Sequence, residues 1–238
     1  MIDRSQQVAA RVFAITTLVA LVLIMVAFSR WYAPFLVWEH DAETARNYAA
    51  NEHLVHFYIA SAVIYGMAMM MVLVALYVVF RPISRGLALF AALTRLVYVA
   101  MWFAGLLDLF NALRIMGGHE YLRVLEPERL QALAGLQVAS GWDAYYIGLT
   151  CYATASVVFS YLFFKSHYIP RVLGLFGIVA SLFEGVCGFV YLVDRSFGAI
   201  VSVNWYEMPV MLFEVAASIW ILVRGLRVPA EKAVAAGE

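Results

Sequence analysis

Three ionisable side chains stand inside long apolar runs of this sequence: Arg95, Glu184 and Glu214. Charged groups are costly in hydrocarbon and normally face a protein interior or a wet cavity. At a helical rise of 1.5 Å per residue, Arg95 lies roughly 15 Å beyond Arg85, and Glu214 roughly 15 Å before Arg224. Glu184 lies roughly 20 Å beyond Arg171, so three separate segments bring the three groups to similar depth. A guanidinium cannot shed its proton and needs a partner. With one cation and two carboxylates, one carboxylate pairs and the other must take up a proton or a cation. The cluster therefore reads either as a clamp between helices or as the centre of proton-coupled transport. Glu207, Glu214 and Ser218 share one helix face, which points Glu214 inward. Glu184 sits on a row of small residues (Gly174, Gly177, Ser181, Gly185, Gly188) where close helix contact leaves little room for an arginine. The expected pair is Arg95–Glu214, with Glu184 held more loosely.

A second polar group collects near the other end of the same segments. His53 and His56 are three residues apart and share a helix face. Asp108 and Asn111, Asp143 and Tyr146, and Glu207 mark the ends of three further segments. Nitrogen and oxygen ligands from several helices are the donor set of zinc or a similar divalent ion with a position open to water. An H-x-x-H pair without a third fixed ligand also arises wherever helix ends meet headgroups and water. Cys151 and Cys187 both fall in apolar stretches, which leaves no disulfide framework, no multi-thiolate metal site and no haem attachment. Lysine occurs only at positions 165 and 232, near segment ends, which argues against a Schiff base with a retinal-type cofactor. Phosphate-binding glycine loops and Ser/His/Asp motifs are absent.

The elements that position these groups follow from composition. Of 238 residues, 65% are hydrophobic and 13% charged, and the mean hydropathy is +0.84. Soluble domains are about half apolar and about a quarter charged. A water-soluble fold of this size has too little interior to hide so much apolar surface, so the surplus faces lipid. Sixteen basic residues balance sixteen acidic ones, and no basic surplus recommends nucleic acid as a partner. A spanning helix needs about 20 apolar residues. Six stretches qualify, at 12–34, 54–80, 86–110, 142–164, 172–193 and 207–226. Each is continuously apolar rather than alternating, which predicts helices and not barrel strands. The expected fold is an all-α, polytopic helical bundle, a single transmembrane domain over 1–238.

Orientation follows from the basic residues. One side collects Arg4, Arg11, Arg81, Arg85, Lys165, Arg171, Arg224, Arg227 and Lys232; the other collects Arg30, Arg46, Arg114, Arg123, Arg129 and Arg195. The richer side also has the shorter turns, so it reads as cytoplasmic and both termini belong there, in a multi-pass protein of the inner cell membrane. Residues 228–238 form a short cytoplasmic tail. Arg4 and Arg11 precede the run Val12–Phe28 in the order of a signal peptide, but the run is long and five spans follow, so the first span reads as uncleaved. The outer loop 37–53 is acidic, with Glu39, Asp41, Glu43 and Glu52. In the outer segment 111–141, Pro127 suits a first helical turn, and Leu130, Leu133 and Leu136 follow at near-helical spacing. This predicts a short amphipathic helix lying on the outer interface.

Several of these segments carry a resemblance. The stretch from Leu130-Gln131-Ala132-Leu133 to Tyr161-Leu162-Phe163-Phe164-Lys165, the turn Ile169-Pro170-Arg171-Val172-Leu173-Gly174, and the glycine-rich span ending in Tyr191-Leu192-Val193-Asp194 form one pattern. With the closing helix Glu214–Gly225 and Thr94-Arg95-Leu96, it resembles a bacterial six-helix membrane family catalogued as domain of unknown function 4386. The resemblance covers most of 86–227 and implies a six-helix fold but no activity. Thr150-Cys151-Tyr152-Ala153 stands where that family's pattern suggests a Gly-Leu-His-Leu-like run. No role tied to a histidine there carries over.

Three functions fit. The leading one is a carrier or binding protein that takes a small molecule, lipid or proton through an outward-facing polar pocket running from His53, His56, Asp108 and Asp143 to the Arg95–Glu184–Glu214 centre. The second is a membrane-embedded, metal-dependent hydrolase using the outer His, Asp and Glu residues. The third is a non-catalytic membrane partner whose polar residues only hold helices together. With no catalytic motif in view, the chain reads as a non-enzyme more than as an enzyme.

Overall fold

The structure is a computed structural model and describes residues 2–38, 40–122 and 124–227. Glu39, Arg123 and the expected tail 228–238 with Lys232 lie outside the described residues. The described chain is helical throughout. In order come α1 (Arg4–Trp31), α2 (Asp41–Ala50), α3 (Glu52–Phe80), α4 (Arg85–Met116), α5 (Pro127–Ser166), α6 (Arg171–Val193), α7 (Ser196–Ile200) and α8 (Val203–Arg224). All but α2 and α7 are long and apolar enough to cross a bilayer, α1 together with the short 3₁₀ turn that follows it. The protein is a multi-pass transmembrane protein with six candidate spans among the described residues.

The sorting of side chains on α6 shows why hydrocarbon is the solvent. Its buried face consists of Gly174, Gly177, Ala180, Ser181, Glu184, Cys187 and Gly188. Its exposed residues include Val172, Leu175, Phe176, Val179, Phe183 and Val186. In water this arrangement would be inside out; in lipid, large apolar groups gain nothing by burial and small residues let backbones approach.

The described chain gathers into two compact units. Among the described residues, the first comprises 2–19, 68–98 and 149–227. Within it α5 and α6 run antiparallel in close contact. A Cβ at Gly174 would lie 3.0 Å from the Phe164 backbone, and one at Gly177 would lie 2.6 Å from the Phe213 ring and 2.7 Å from Ser160 Oγ. One end of this unit is tied by polar contacts. Gln6 Nε2 donates to Val79 O at 3.0 Å and to the Tyr168 hydroxyl at 3.1 Å. Arg227 N donates to Tyr168 O at 3.0 Å, and Leu226 N to Gln7 Oε1 at 3.4 Å. The start of α1, the end of α3, the α5–α6 turn and the end of α8 thus meet at one end. In that turn His167 adopts a left-handed conformation (φ 58°) that ends α5, and Pro170 opens α6.

The second unit comprises Ala20–Met67 and Val99–Gly148. Here α2 rests on the first turns of α5, where a Cβ at Gly135 would stand 2.8 Å from Ala42 N, and Gln131 Nε2 donates to Ala42 O at 3.3 Å. Tyr32 packs its ring on Tyr48 at 4.9 Å and on Tyr58 at 4.5 Å, and Trp142 on Trp38 at 5.3 Å. Burial holds the Tyr48 phenol on α2 well above its ordinary value. Helices α4 and α5 touch at Gly105 and Gly141, where a Cβ on Gly105 would lie 3.2 Å from Gly141 O.

One expected element differs. The leucine-spaced segment after Pro127 is helical, but it is no separate interfacial helix: it forms the first turns of α5, which runs unbroken for 40 residues. Leu133 and Leu136 are exposed, while Ala134, Gly135 and Val138 are buried. Packing of α2 selects the small residues, and the leucines of the expected stripe face away.

Candidate functional site

Arg95 is 1% exposed near the middle of α4. Its Nη2 donates to Glu214 Oε1 of α8 at 2.6 Å. The same oxygen accepts a second short bond, 2.6 Å, from the Tyr152 hydroxyl of α5. The guanidinium carbon stands 4.2 Å from the centre of the Tyr152 ring, so Tyr152 meets the ion pair through both its hydroxyl and its π face. Tyr98, one turn after Arg95 on α4, packs edge-on against Tyr152 at 4.9 Å. Three helices thus join at one carboxylate oxygen. Charge-assisted hydrogen bonds of this length are the strong kind, and each missing partner would leave a buried charge exposed to hydrocarbon.

Glu184 is 2% exposed and is not the carboxylate that Arg95 reaches in this pair. Its Oε2 has no hydrogen-bond partner. It still lies close enough to feel the charges of Glu214 and Arg95, and Cys187, one turn further along α6, in turn feels Glu184. Arg95 and Glu214 cancel, so an ionised Glu184 would leave the interior with net negative charge. A proton or a bound cation removes that cost.

Tyr152 is the member that the sequence reading missed. It lies in Thr150–Ala153, the run that departs from the family pattern, and a tyrosine in an apolar helix looks like core filler. The usable signal was a hydroxyl at the depth of a charged cluster, on the face that continues with Ser156 and Ser160.

The outer polar residues are arranged otherwise. His53 and His56 are exposed on the first turns of α3, and the His56 ring packs against Phe110 at 5.8 Å. Asp108 is half-buried, with its Cβ 3.7 Å from where a Gly141 side chain would begin. Asn111 Nδ2 donates to Gln137 Oε1 at 3.3 Å. Asp143 is half-buried, and Tyr146 is buried against Trp142 and Tyr145 at 6.4 and 5.6 Å. These six belong to the second unit; Glu207, half-buried near the start of α8, belongs to the first, as do Arg95, Glu184 and Glu214. Among the described residues no group of three His, Cys, Asp or Glu is placed to hold a metal ion.

No curated protein and no solved structure matches this chain. A family model does, and it reaches all six long helices, beginning within α1. Matched over residues 12–225, the chain belongs to the family described as domain of unknown function (DUF4386).

Proposed function

We propose that this protein is a proton-coupled membrane carrier, with Glu184 as its proton-binding group and Arg95–Glu214–Tyr152 as a fixed, neutral frame. The observation that carries the reading is the unequal treatment of two carboxylates buried in the same unit. Glu214 has its charge matched and its Oε1 bonded twice, whereas Glu184 has an unbonded oxygen and no cation of its own. A structural clamp needs only the first carboxylate; the second costs stability unless it binds something. A proton is the smallest such ligand and needs no coordination shell. In this reading the protein sits in the inner cell membrane with both termini cytoplasmic, as the basic residues at the Gln6–Tyr168–Arg227 end favour. The cargo coupled to the proton is a small molecule or lipid.

The test is infrared difference spectroscopy of the protein in lipid across a pH step. A carboxylic-acid carbonyl band should respond to the step, shift in D₂O, and vanish in Glu184→Gln while surviving in Glu207→Gln. A Glu184→Gln protein with an unchanged band would refute the assignment.

A further inference from the structure

Four buried serine hydroxyls in the first unit share the condition of Glu184, as does the Thr17 hydroxyl on α1. Ser156, Ser160, Ser181 and Ser218 are each no more than 3% exposed, and none of their Oγ atoms has a hydrogen-bond partner. Buried polar atoms are nearly always bonded, to protein or to ordered water, and an unbonded hydroxyl in an apolar interior is costly. One orphan hydroxyl would be an accident of packing; four at related places are a pattern.

Their places are related to the charged cluster in one way. On α5, Ser156 and Ser160 follow Tyr152 by one and two turns, on the same face, toward Lys165. On α6, Ser181 lies one turn from Glu184 toward Arg171. On α8, Ser218 lies one turn from Glu214 toward Arg224. Three helices each place their orphan hydroxyls on the same side of the cluster, the side of the Gln6–Tyr168–Arg227 end. Ser160 also faces α6 directly, since a Cβ at Gly177 would fall 2.7 Å from its Oγ. Further toward that end stand two more polar side chains, Gln6 and Tyr168, joined at 3.1 Å.

We propose that these hydroxyls line a narrow hydrated path by which Glu184 exchanges its proton with the compartment at the Gln6–Tyr168 end. Hydroxyls suit the task because each donates and accepts, so a chain of them with bridging water can pass a proton and be restored by rotation. The Glu184 O–H bond breaks and leaves its electron pair on the carboxylate; each oxygen of the chain takes up one proton on a lone pair and gives up another, and one proton is released at the far end. The charged and titratable groups facing Glu184 are Arg95 from α4, Glu214 from α8 and, on its own helix, Cys187. Arg95 and Glu214 are joined to each other at 2.6 Å. This route rests on the proton-binding reading of Glu184. It also fixes a direction that reading leaves open, since the path leads to the Gln6–Tyr168 end of the first unit.

The experiment follows the Glu184 carbonyl band in time, in oriented vesicles, after a pH jump applied to one side only. Valine and threonine have nearly the same shape and differ by the hydroxyl. Ser156→Val with Ser218→Val should slow proton exchange on the order of tenfold or more, as expected when a hydrogen-bonded step is removed. Ser156→Thr with Ser218→Thr should keep the original rate, and the band itself should persist in both. The fast response should follow a jump on the Gln6–Tyr168 side. Equal rates in the valine and threonine pairs, or a fast response only from the opposite side, would overturn the path while leaving Glu184 as the proton site. A band absent from the unmodified protein would overturn both. If the valine pair fails to fold, Ser181→Ala adds no bulk and must show the slowing against the unmodified chain; an unchanged rate there also overturns the path.

Discussion

Replacing Glu214 with alanine removes the acceptor of two 2.6 Å bonds and strands a guanidinium that is 1% exposed. Breaking a buried pair from one side costs about 3–5 kcal/mol, chiefly through the uncompensated charge left behind. The Tyr152 ring 4.2 Å from the guanidinium carbon softens that cost but cannot neutralise it. Glu184 can do more: it lies within electrostatic range of Arg95, and losing its proton would supply the missing negative charge. Glu214→Ala should therefore fall at the lower end, about 3 kcal/mol, and adding Glu184→Gln should carry the loss to about 5 kcal/mol. Arg95→Met together with Glu214→Ala removes cation and anion at once and should recover more than half of the single-variant loss. The assay is reversible unfolding in mixed micelles, titrated with a denaturing detergent and followed by circular dichroism. The reasoning is refuted if the Arg95 and Glu214 substitutions simply add. It is also refuted if Glu184→Gln makes no difference in the Glu214→Ala background.

Three further outcomes are expected. Tyr152→Phe keeps the ring against Arg95 but deletes the hydroxyl, and should cost about 1–3 kcal/mol in the same titration, less than Glu214→Ala. Gly177→Ala would put a methyl 2.6 Å from the Phe213 ring and should destabilise by about 1–3 kcal/mol, whereas Gly86→Ala meets nothing within 4 Å and should be neutral or stabilising; equal effects would contradict the close α6 contact. Reporter fusions after Arg85, Arg171 and Arg227 should read cytoplasmic and a fusion at Arg46 external, and an external reading at Arg85 would overturn the orientation.

What was legible in the sequence was whatever helical geometry alone decides. Six spans follow from apolar length, and the similar depth of Arg95 and Glu214 follows from counting residues to the nearest turn. Helix face also chose between the carboxylates, since Glu214 shares its face with Ser218 and it is Glu214 that Arg95 reaches. What was illegible depended on which neighbour packs where. Leu130, Leu133 and Leu136 looked like the apolar face of a separate interfacial helix, yet the segment is the start of α5, and α2 docks beside it on Gly135. Tyr152 stayed hidden because its neighbours are apolar and its hydroxyl acquires meaning only from a carboxylate 62 residues away.

These misses have one cause. In water, apolarity marks what is buried, and a periodic row of leucines is a reliable sign of a core-facing stripe. In hydrocarbon a leucine gains nothing by leaving the solvent, so burial is decided by close fit and by polar groups in need of partners. On α6 the residues turned inward are glycine, alanine, serine, cysteine and the carboxylate Glu184, and those turned outward include valine, leucine and phenylalanine. On α5 the same rule fits Ala134, Gly135, Ser156 and Ser160, which are buried, the half-buried Tyr152, and the exposed Leu133 and Leu136, while Leu149, Phe159, Leu162 and Phe163 are buried by close fit. Small and polar residues at helical spacing were therefore the informative signal in this chain. The row of serines descending from the charged cluster is that signal continued past the point where packing alone accounts for it.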